Sequence, residues 1–187
     1  MKVLIVVDCQ NDFIDGSLGT PEAVAIIQNV KNKIEEYVAN GDAIVFTRDT
    51  HFDDYLETNE GKHLPVVHCM YDTHGWKIRD ELMQAAGHPW IVDKTTFGFK
   101  YWDKDMIAKR SDIEGWEWLY LRDASEIELV GLCTDICVVS NALILKAQFP
   151  ETKITVDASC CAGVTQDSHL AALLTMEMCQ INVIGEW

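Results

Sequence analysis

The chain predicts an α/β fold, a three-layer sandwich with a central, mostly parallel sheet covered by helices on both faces. Three observations carry that expectation. Short, largely apolar runs such as Lys2–Val7, Ala43–Thr47, Glu126–Gly131 and Lys153–Val156 read as strands buried on both faces. Amphipathic stretches of helical length separate them, the alternation that sets parallel strands side by side. A length of 187 residues, 48% hydrophobic, suits one well-buried domain over 1–187, and 4 Pro with 11 Gly leave little material for a linker.

Taken in order, Lys2–Val7 is the first strand. Pro21–Asn40 follows as a helix: Thr20 caps it, Pro21 suits its first turn, Gly41 ends it, and Val24, Ile27, Val30, Ile34 and Tyr37 line one face. Ala43–Thr47 is the second strand. The polar stretch from Arg48 to Trp76 has no clear periodicity, and loops of that length are usually functional or disordered. Arg79–Ala86 reads as a helix, Trp90–Val92 as a strand and Lys104–Lys109 as a short helix, with a weak pattern between Tyr101 and Asp123. The strand Glu126–Gly131 leads into a helix over Ile136–Phe149, whose start Thr134 or Asp135 can cap. The strand Lys153–Val156, the helix Gln166–Cys179 and a last strand, Asn182–Ile184, complete the pattern.

Composition narrows the partners. A formal net charge of −15 argues against nucleic-acid backbones and anionic membrane surfaces. No apolar run approaches transmembrane length, and Lys2–Val7 is too short for a secretory signal before Asp8. The 7 Cys are odd in number and scattered, which favours free thiols and a cytoplasmic setting over a disulfide framework. A small molecule is the expected partner, and homo-oligomerisation is left open.

In sheets of this kind, ligands bind outside the carboxyl ends of the strands. Asp8 follows the first strand, Asp49 and His51 the second, Lys94 the Trp90–Val92 strand, and Cys137 the strand ending near Gly131. Each residue alone has an ordinary explanation as a turn, cap, solvated charge or core thiol; their convergence on one edge does not. Cys137 falls in a first helical turn, where free N–H groups and the macrodipole favour a thiolate. Asp8 then serves as proton carrier, and Lys94 orients it and stabilises charge near sulfur. Backbone N–H groups of Cys133 and Cys137 are candidates for an oxyanion hole. Together these groups describe acyl transfer through a thioester, hence amide hydrolysis.

The long loop holds a second constellation. Asp49, His51, Glu60 and His68 offer mixed oxygen and nitrogen ligation for one divalent ion, Zn²⁺ foremost, with Mn²⁺ or Fe²⁺ as alternatives. Asp53, Asp54, Glu57, His63, Asp72 and His74 crowd the same stretch, and spacing does not choose among them. Cys9, Cys160, Cys161 and Cys179 read as small core residues.

Several blocks resemble one family in order along nearly the whole chain. Asp8-Cys9-Gln10-Asn11-Asp12-Phe13 resembles the D-x-Q-N-D-F opening of the isochorismatase-like cysteine hydrolases, and Gly131 to Cys137 their G-x-x-T-D-x-C block. Lys94 matches the family's K-x-x-F lysine, and Asp157-Ala158, Ala162–Thr165 and His169 resemble its later D-A…A-G-V-T…H block. Within the family, Asp49-Thr50-His51 and Pro65-Val66-Val67-His68-Cys69 resemble the metal motifs of the nicotinamidases. The resemblance implies an Asp8, Lys94, Cys137 triad and a cis peptide between Leu132 and Cys133. It also implies metal binding by Asp49, His51 and His68, with Glu60 carried over as fourth ligand against Asp54, Glu57 or His63. Phe13 is then placed to stack on a flat substrate ring. The chain departs from the pattern at Leu64, where many nicotinamidases have an aromatic residue, with one extra residue before His68 relative to P-x-H-C, and at Asp72-Thr73, where Gly-Thr is usual. Leu64 therefore joins Phe13 as a substrate-binding candidate. The implied reaction is hydrolysis of nicotinamide to nicotinate and ammonia. Alternatives are another small amide or ureido compound, cleavage of a vinyl ether, and a non-enzymatic metal-binding domain.

Overall fold

The computed structural model describes residues 1–103, 106–110 and 117–186. Eight strands are seen there: β1 (Lys2–Val7), β2 (Ala43–Asp49), β3 (Trp90–Lys94), β4 (Met106–Arg110), β5 (Glu117–Leu119), β6 (Glu126–Leu132), β7 (Lys153–Ala162) and β8 (Asn182–Ile184). They form one sheet in the order β5-β4-β3-β2-β1-β6-β7-β8. The six strands from β3 to β8 in this order pair in parallel, and β4 and β5 extend the edge antiparallel. The expected mostly parallel sheet is therefore present.

The central strands are apolar because both of their faces are covered. Val3, Ile5 and Val7 of β1 pack into one core cluster, while Leu4 and Val6 pack into the other. The same alternation splits Val45 from Phe46 in β2 and Leu129 from Val130 in β6, as the two-residue period of a strand requires. On one side lie α6 (Val139–Gln148) and α7 (Gln166–Met178), contributing Ala142, Leu145, Leu173 and Met176. On the other lie α3 (Ile27–Asn40) and α5 (Asp80–Ala86), contributing Val30, Ile34, Tyr37 and Leu82. The chain builds outward from β1 to β2 and β3, then returns to β6 on the other side of β1. That reversal opens a crevice at the carboxyl ends of β1 and β6.

Several sequence expectations change. The helix expected over Pro21–Asn40 is two helices, α2 (Pro21–Ala25) and α3, with Ile26 between them. Thr20 caps the first, accepting from the Ala23 N–H at 3.0 Å, and Gly41 ends the second in a left-handed conformation. Val24 is exposed, because the break takes the first turn out of phase with the buried face of α3. The helix expected over Lys104–Lys109 is wrong: Met106–Arg110 is strand β4, paired with β3 through Trp90↔Arg110 and Ile91↔Lys109. The open edge of β3 supplies a hydrogen-bonding partner that outweighs local propensity. Lys104 and Asp105 lie outside the described residues. Cys179 is exposed at the end of α7 and is no core residue. The loop after β2 contains a single 3₁₀ turn, Tyr55–Glu57, and a short helix, α4 (Asn59–His63), both too brief to register as periodicity. A four-residue helix, α1 (Asn11–Ile14), was missed for the same reason. No helix among the described residues is long and apolar enough to cross a membrane.

Candidate active site and metal centre

The site is assembled where β1 and β6 end together. Gly131 sits at φ 119°, and a Cβ there would stand 2.2 Å from the Val7 carbonyl oxygen. Only glycine permits this approach. The Leu132–Cys133 peptide that follows is cis. Beyond it the chain turns through one π-helical turn, Thr134–Val138, before α6 begins. The Cys133 carbonyl accepts from the N–H groups of Ile136 at 3.1 Å and Val138 at 3.0 Å, which fixes the turn carrying Cys137. Neither Thr134 nor Asp135 caps this helix, contrary to expectation. The Thr134 hydroxyl lies 2.8 Å from His169 Nδ1, and the Asp135 carboxylate faces the start of α7.

Asp8, Lys94 and Cys137 meet in the interior. Asp8 is fully buried. Its Oδ1 accepts from the Thr47 hydroxyl at 2.6 Å, and its N–H donates to the same Thr47 oxygen at 3.1 Å. Lys94 Nζ stands 2.7 Å from Asp8 Oδ2, 3.7 Å from Cys137 Sγ and 3.5 Å from Asp49 Oδ1. Burial is the largest influence on Asp8 and raises its pKa; Lys94 and Thr47 pull the other way without cancelling it. Lys94 is buried too, which opposes its charge, but Asp8, Cys137 and Asp49 hold its proton firmly.

The thiol departs from the sequence expectation. Burial pushes Cys137 well above the ordinary cysteine value, with Lys94 opposing and Asp8 adding to the rise. The helix terminus does not yield a resting thiolate, because loss of water around sulfur outweighs the dipole. Burial therefore favours the neutral thiol at Cys137, and it also raises Asp8, whose contact with Lys94 opposes that rise. Cys133 is pushed up to about 12, chiefly by burial.

The loop residues gather beside this group. Ligand atoms of Asp49, His51, Glu60 and His68 all lie within 4.8 Å of one another, the one such cluster among the described residues. His51 Nε2 is 2.9 Å from Asp49 Oδ2 and 3.5 Å from Glu60 Oε1; His68 Nε2 is 3.6 Å and 3.9 Å from the same two atoms. Donors around a cation held at about 2.1 Å stand roughly 3 to 4 Å apart, so the set fits a divalent ion. The surroundings fix these donors. His68 Nδ1 is tied to the Val66 carbonyl at 2.7 Å, which turns Nε2 inward. Gln10 receives the Asp49 N–H at 2.6 Å and donates to the Asp49 carbonyl at 2.8 Å. Burial opposes ionisation of Asp49, yet hydrogen bonds to His51 and His68 hold its carboxyl below the usual range. Asp54, Glu57 and His63 do not join the cluster, nor do Asp53, Asp72 and His74.

A cavity of about 360 Å³ opens over both groups. Phe13, Leu64, Cys133 and Cys137 line it together with Asp49, Glu60 and His68, so both substrate-binding candidates face it. Its walls are almost wholly apolar, with Leu18, Phe97, Ile136 and Val164 among them.

The sequence profile of the isochorismatase domain matches residues 2–185. The chain belongs to the isochorismatase family. It is 28% identical to the nicotinamidase/pyrazinamidase of Mycobacterium tuberculosis, with 98% of each chain covered. Among solved structures it is similar to the nicotinamidase of Bacillus subtilis, with a TM-score of 0.75, 26% identity, and 97% of this chain and 98% of that chain covered. It is also similar to the pyrazinamidase of Pyrococcus horikoshii in complex with zinc, with a TM-score of 0.72, 25% identity and 99% of each chain covered. By their names these relatives are amidohydrolases that act on nicotinamide or pyrazinamide. Sequence reasoning missed four residues of this chain's site. Thr47, a lone hydroxyl in an apolar strand, was a usable signal. Gln10, inside the opening motif, was another. Phe97, the aromatic of the K-x-x-F motif, was a third, whereas Tyr55, packed 4.4 Å from the His51 ring and 5.1 Å from the His68 ring, left no signal before the loops were folded.

Proposed function

We propose that this isochorismatase-family amidase hydrolyses nicotinamide to nicotinate and ammonia, with Cys137 as nucleophile. The observation that carries the reading is one cation, Lys94, touching both Asp8 and Cys137 beside a cavity lined by Cys137 and by Asp49, Glu60 and His68 of the metal-ligating cluster. The Cys137 proton passes to Asp8 as sulfur attacks the carboxamide carbon. Negative charge thereby moves from carboxylate to sulfur, and Lys94 is in contact with both. The transfer therefore leaves no unpaired charge in a low-dielectric interior. Backbone N–H groups of Cys133 and Cys137 receive the developing oxyanion. Asp8 returns the proton to nitrogen as the C–N bond breaks and ammonia leaves. It then takes a proton from the water that cleaves the thioester, and that proton returns to sulfur as Cys137 departs.

Asp49, His51, Glu60 and His68 would hold the divalent ion, zinc by the chemistry of the set and by analogy with the zinc-containing relative. Once bound, the ion supplies a Lewis-acid point for a ring nitrogen. Phe13 and Leu64 flank the ring, and apolar walls exclude competing water. The test is ammonia release from nicotinamide, pyrazinamide and a panel of ureido compounds. Turnover of the two ring amides is expected; turnover of ureido compounds alone would replace nicotinamide with that class.

A pH profile tests the pairing of Asp8 with Lys94. The reaction needs Asp8 unprotonated in the free enzyme, so kcat/KM is present above its pKa and lost below it. Because that pKa is raised, the acid limb should lie above the ordinary carboxylate range. Lys94→Met removes the cation that pulls the pKa down, and the limb should move to still higher pH. A limb that stays in place would separate Lys94 from Asp8.

A further inference from the structure

The turn that carries Cys137 also grips the opposite wall of the cavity. Asp135 accepts the Val164 N–H on both carboxylate oxygens, each at 3.1 Å, and the Ser168 hydroxyl on Oδ2. Its neighbour Thr134 is bonded to His169. Asp135 therefore ties this turn to the strap between β7 and α7 through Val164, and Asp135 and Thr134 together tie it to the first turn of α7 through Ser168 and His169. Gly163 and Val164 of that strap line the main cavity, and they also line a second cavity of about 290 Å³. The strap is thus a thin partition with open space on both sides. Val164 is 55% exposed, so packing does little to hold it in place. Close approach also matters at Gly163, where a Cβ would stand 2.8 Å from His169 Cβ and 3.2 Å from Asp135 Oδ1.

We propose that Asp135 is a positioning residue that sets the width of the substrate cavity by fixing the Gly163–Val164 strap to the turn bearing Cys137. The amides named in its kinetic test rest on the nicotinamidase reading above. Asp135 takes no part in the proton path, which runs between Cys137 and Asp8. Its carboxylate engages the Val164 and Ser168 donors instead. If the strap is released, the cavity widens at that end, ring amides bind less well and bulkier molecules gain access.

Asp135→Ala and Asp135→Asn separate this role from an effect of charge on the thiols. The Asn side chain keeps one oxygen for the Val164 N–H and offers its amide to Ser168, so it preserves the strap while removing the charge. Asp135→Ala should raise KM for nicotinamide by about tenfold with kcat nearly unchanged, and Asp135→Asn should stay close to wild type. If the Asn variant behaves like the Ala variant, charge is responsible and the strap proposal fails. A second readout needs no substrate. In a Cys179→Ser background, which removes the exposed thiol, Cys137 is alkylated with iodoacetamide and with its bulkier N-phenyl derivative. Asp135→Ala should narrow the rate gap between the two reagents, and Ser168→Ala should narrow it less. An unchanged gap overturns the proposal even if nicotinamide is not the substrate, whereas a narrowed gap without ring-amide turnover faults only the nicotinamidase reading. Should Asp135→Ala fail to fold, Ser168→Ala and Asp135→Asn carry the same comparison.

Discussion

Cys137→Ala is expected to fold normally and to lose ammonia release by about 10⁴-fold or more, the scale seen when a covalent nucleophile is removed from a group acting as a unit. The side chain is small and buried in the core cluster that also holds Val7 and Val138, so truncation leaves a modest cavity. No other thiol can substitute. Cys133 lines the same cavity, but Lys94 Nζ lies within 3.7 Å of Cys137 Sγ. Cys133→Ala should keep most of the activity, because the role proposed for it uses its backbone N–H. Cys137→Ser should resemble the alanine variant. A hydroxyl holds its proton more tightly than a thiol, and a buried carboxylate is too weak a base to remove it. Ammonia release and single-turnover trapping of a thioester read both outcomes. Near-normal turnover by Cys137→Ala would end covalent catalysis through this residue.

Loss of the metal should be nearly as damaging for ring amides. Protein purified without a His-tag should contain close to one divalent ion per chain by elemental analysis. His51→Ala should lose both the ion and turnover of nicotinamide and pyrazinamide. His51 is the natural choice for this test, since it lies close to Asp49 and Glu60 at once. Its ring also packs against those of Tyr55, tilted, and His68, edge-on, so its loss loosens the whole cluster. Glu60→Ala should weaken metal binding about tenfold or more, while Asp54→Ala and His63→Ala should retain the ion. Chelation followed by addition of Zn²⁺, Mn²⁺ or Fe²⁺ identifies the metal that restores turnover. Metal retained in Glu60→Ala but lost in His63→Ala would reassign the fourth ligand. Protein that binds no divalent ion in any form would remove the metal from the proposed mechanism and leave a metal-free cysteine hydrolase.

Much of the site was legible because strand ends can be read locally. Asp8, Asp49, Lys94 and Cys137 each follow or close an apolar run, and a parallel sheet delivers such positions to one edge. The register of side chains inside the long loop was not legible. Asp49, His51, Glu60 and His68 are spread over twenty residues, and no periodicity links them. Spacing alone gave Asp54, Glu57 and His63 equal standing, until α4 and the Tyr55–Glu57 turn brought Glu60 to the histidines.

The hydrophobic pattern along the chain was sufficient for the α/β class, the parallel core and the edge where chemistry gathers, since burial on two faces demands continuous apolar strands and helical covers. Three matters required the folded chain. The β3 edge turned a helical-looking segment into β4, because a neighbouring strand's unpaired backbone offers bonds that local propensity does not foresee. Asp135 left its expected capping place for the Val164 strap, because its partner lies on another element. Most consequential is the protonation of Cys137. Position in a first helical turn argued for a thiolate, but that inference assumed solvent near the sulfur. Folding buries the thiol beside Asp8 and Lys94, so desolvation keeps its proton in place until a substrate and a base act on it together.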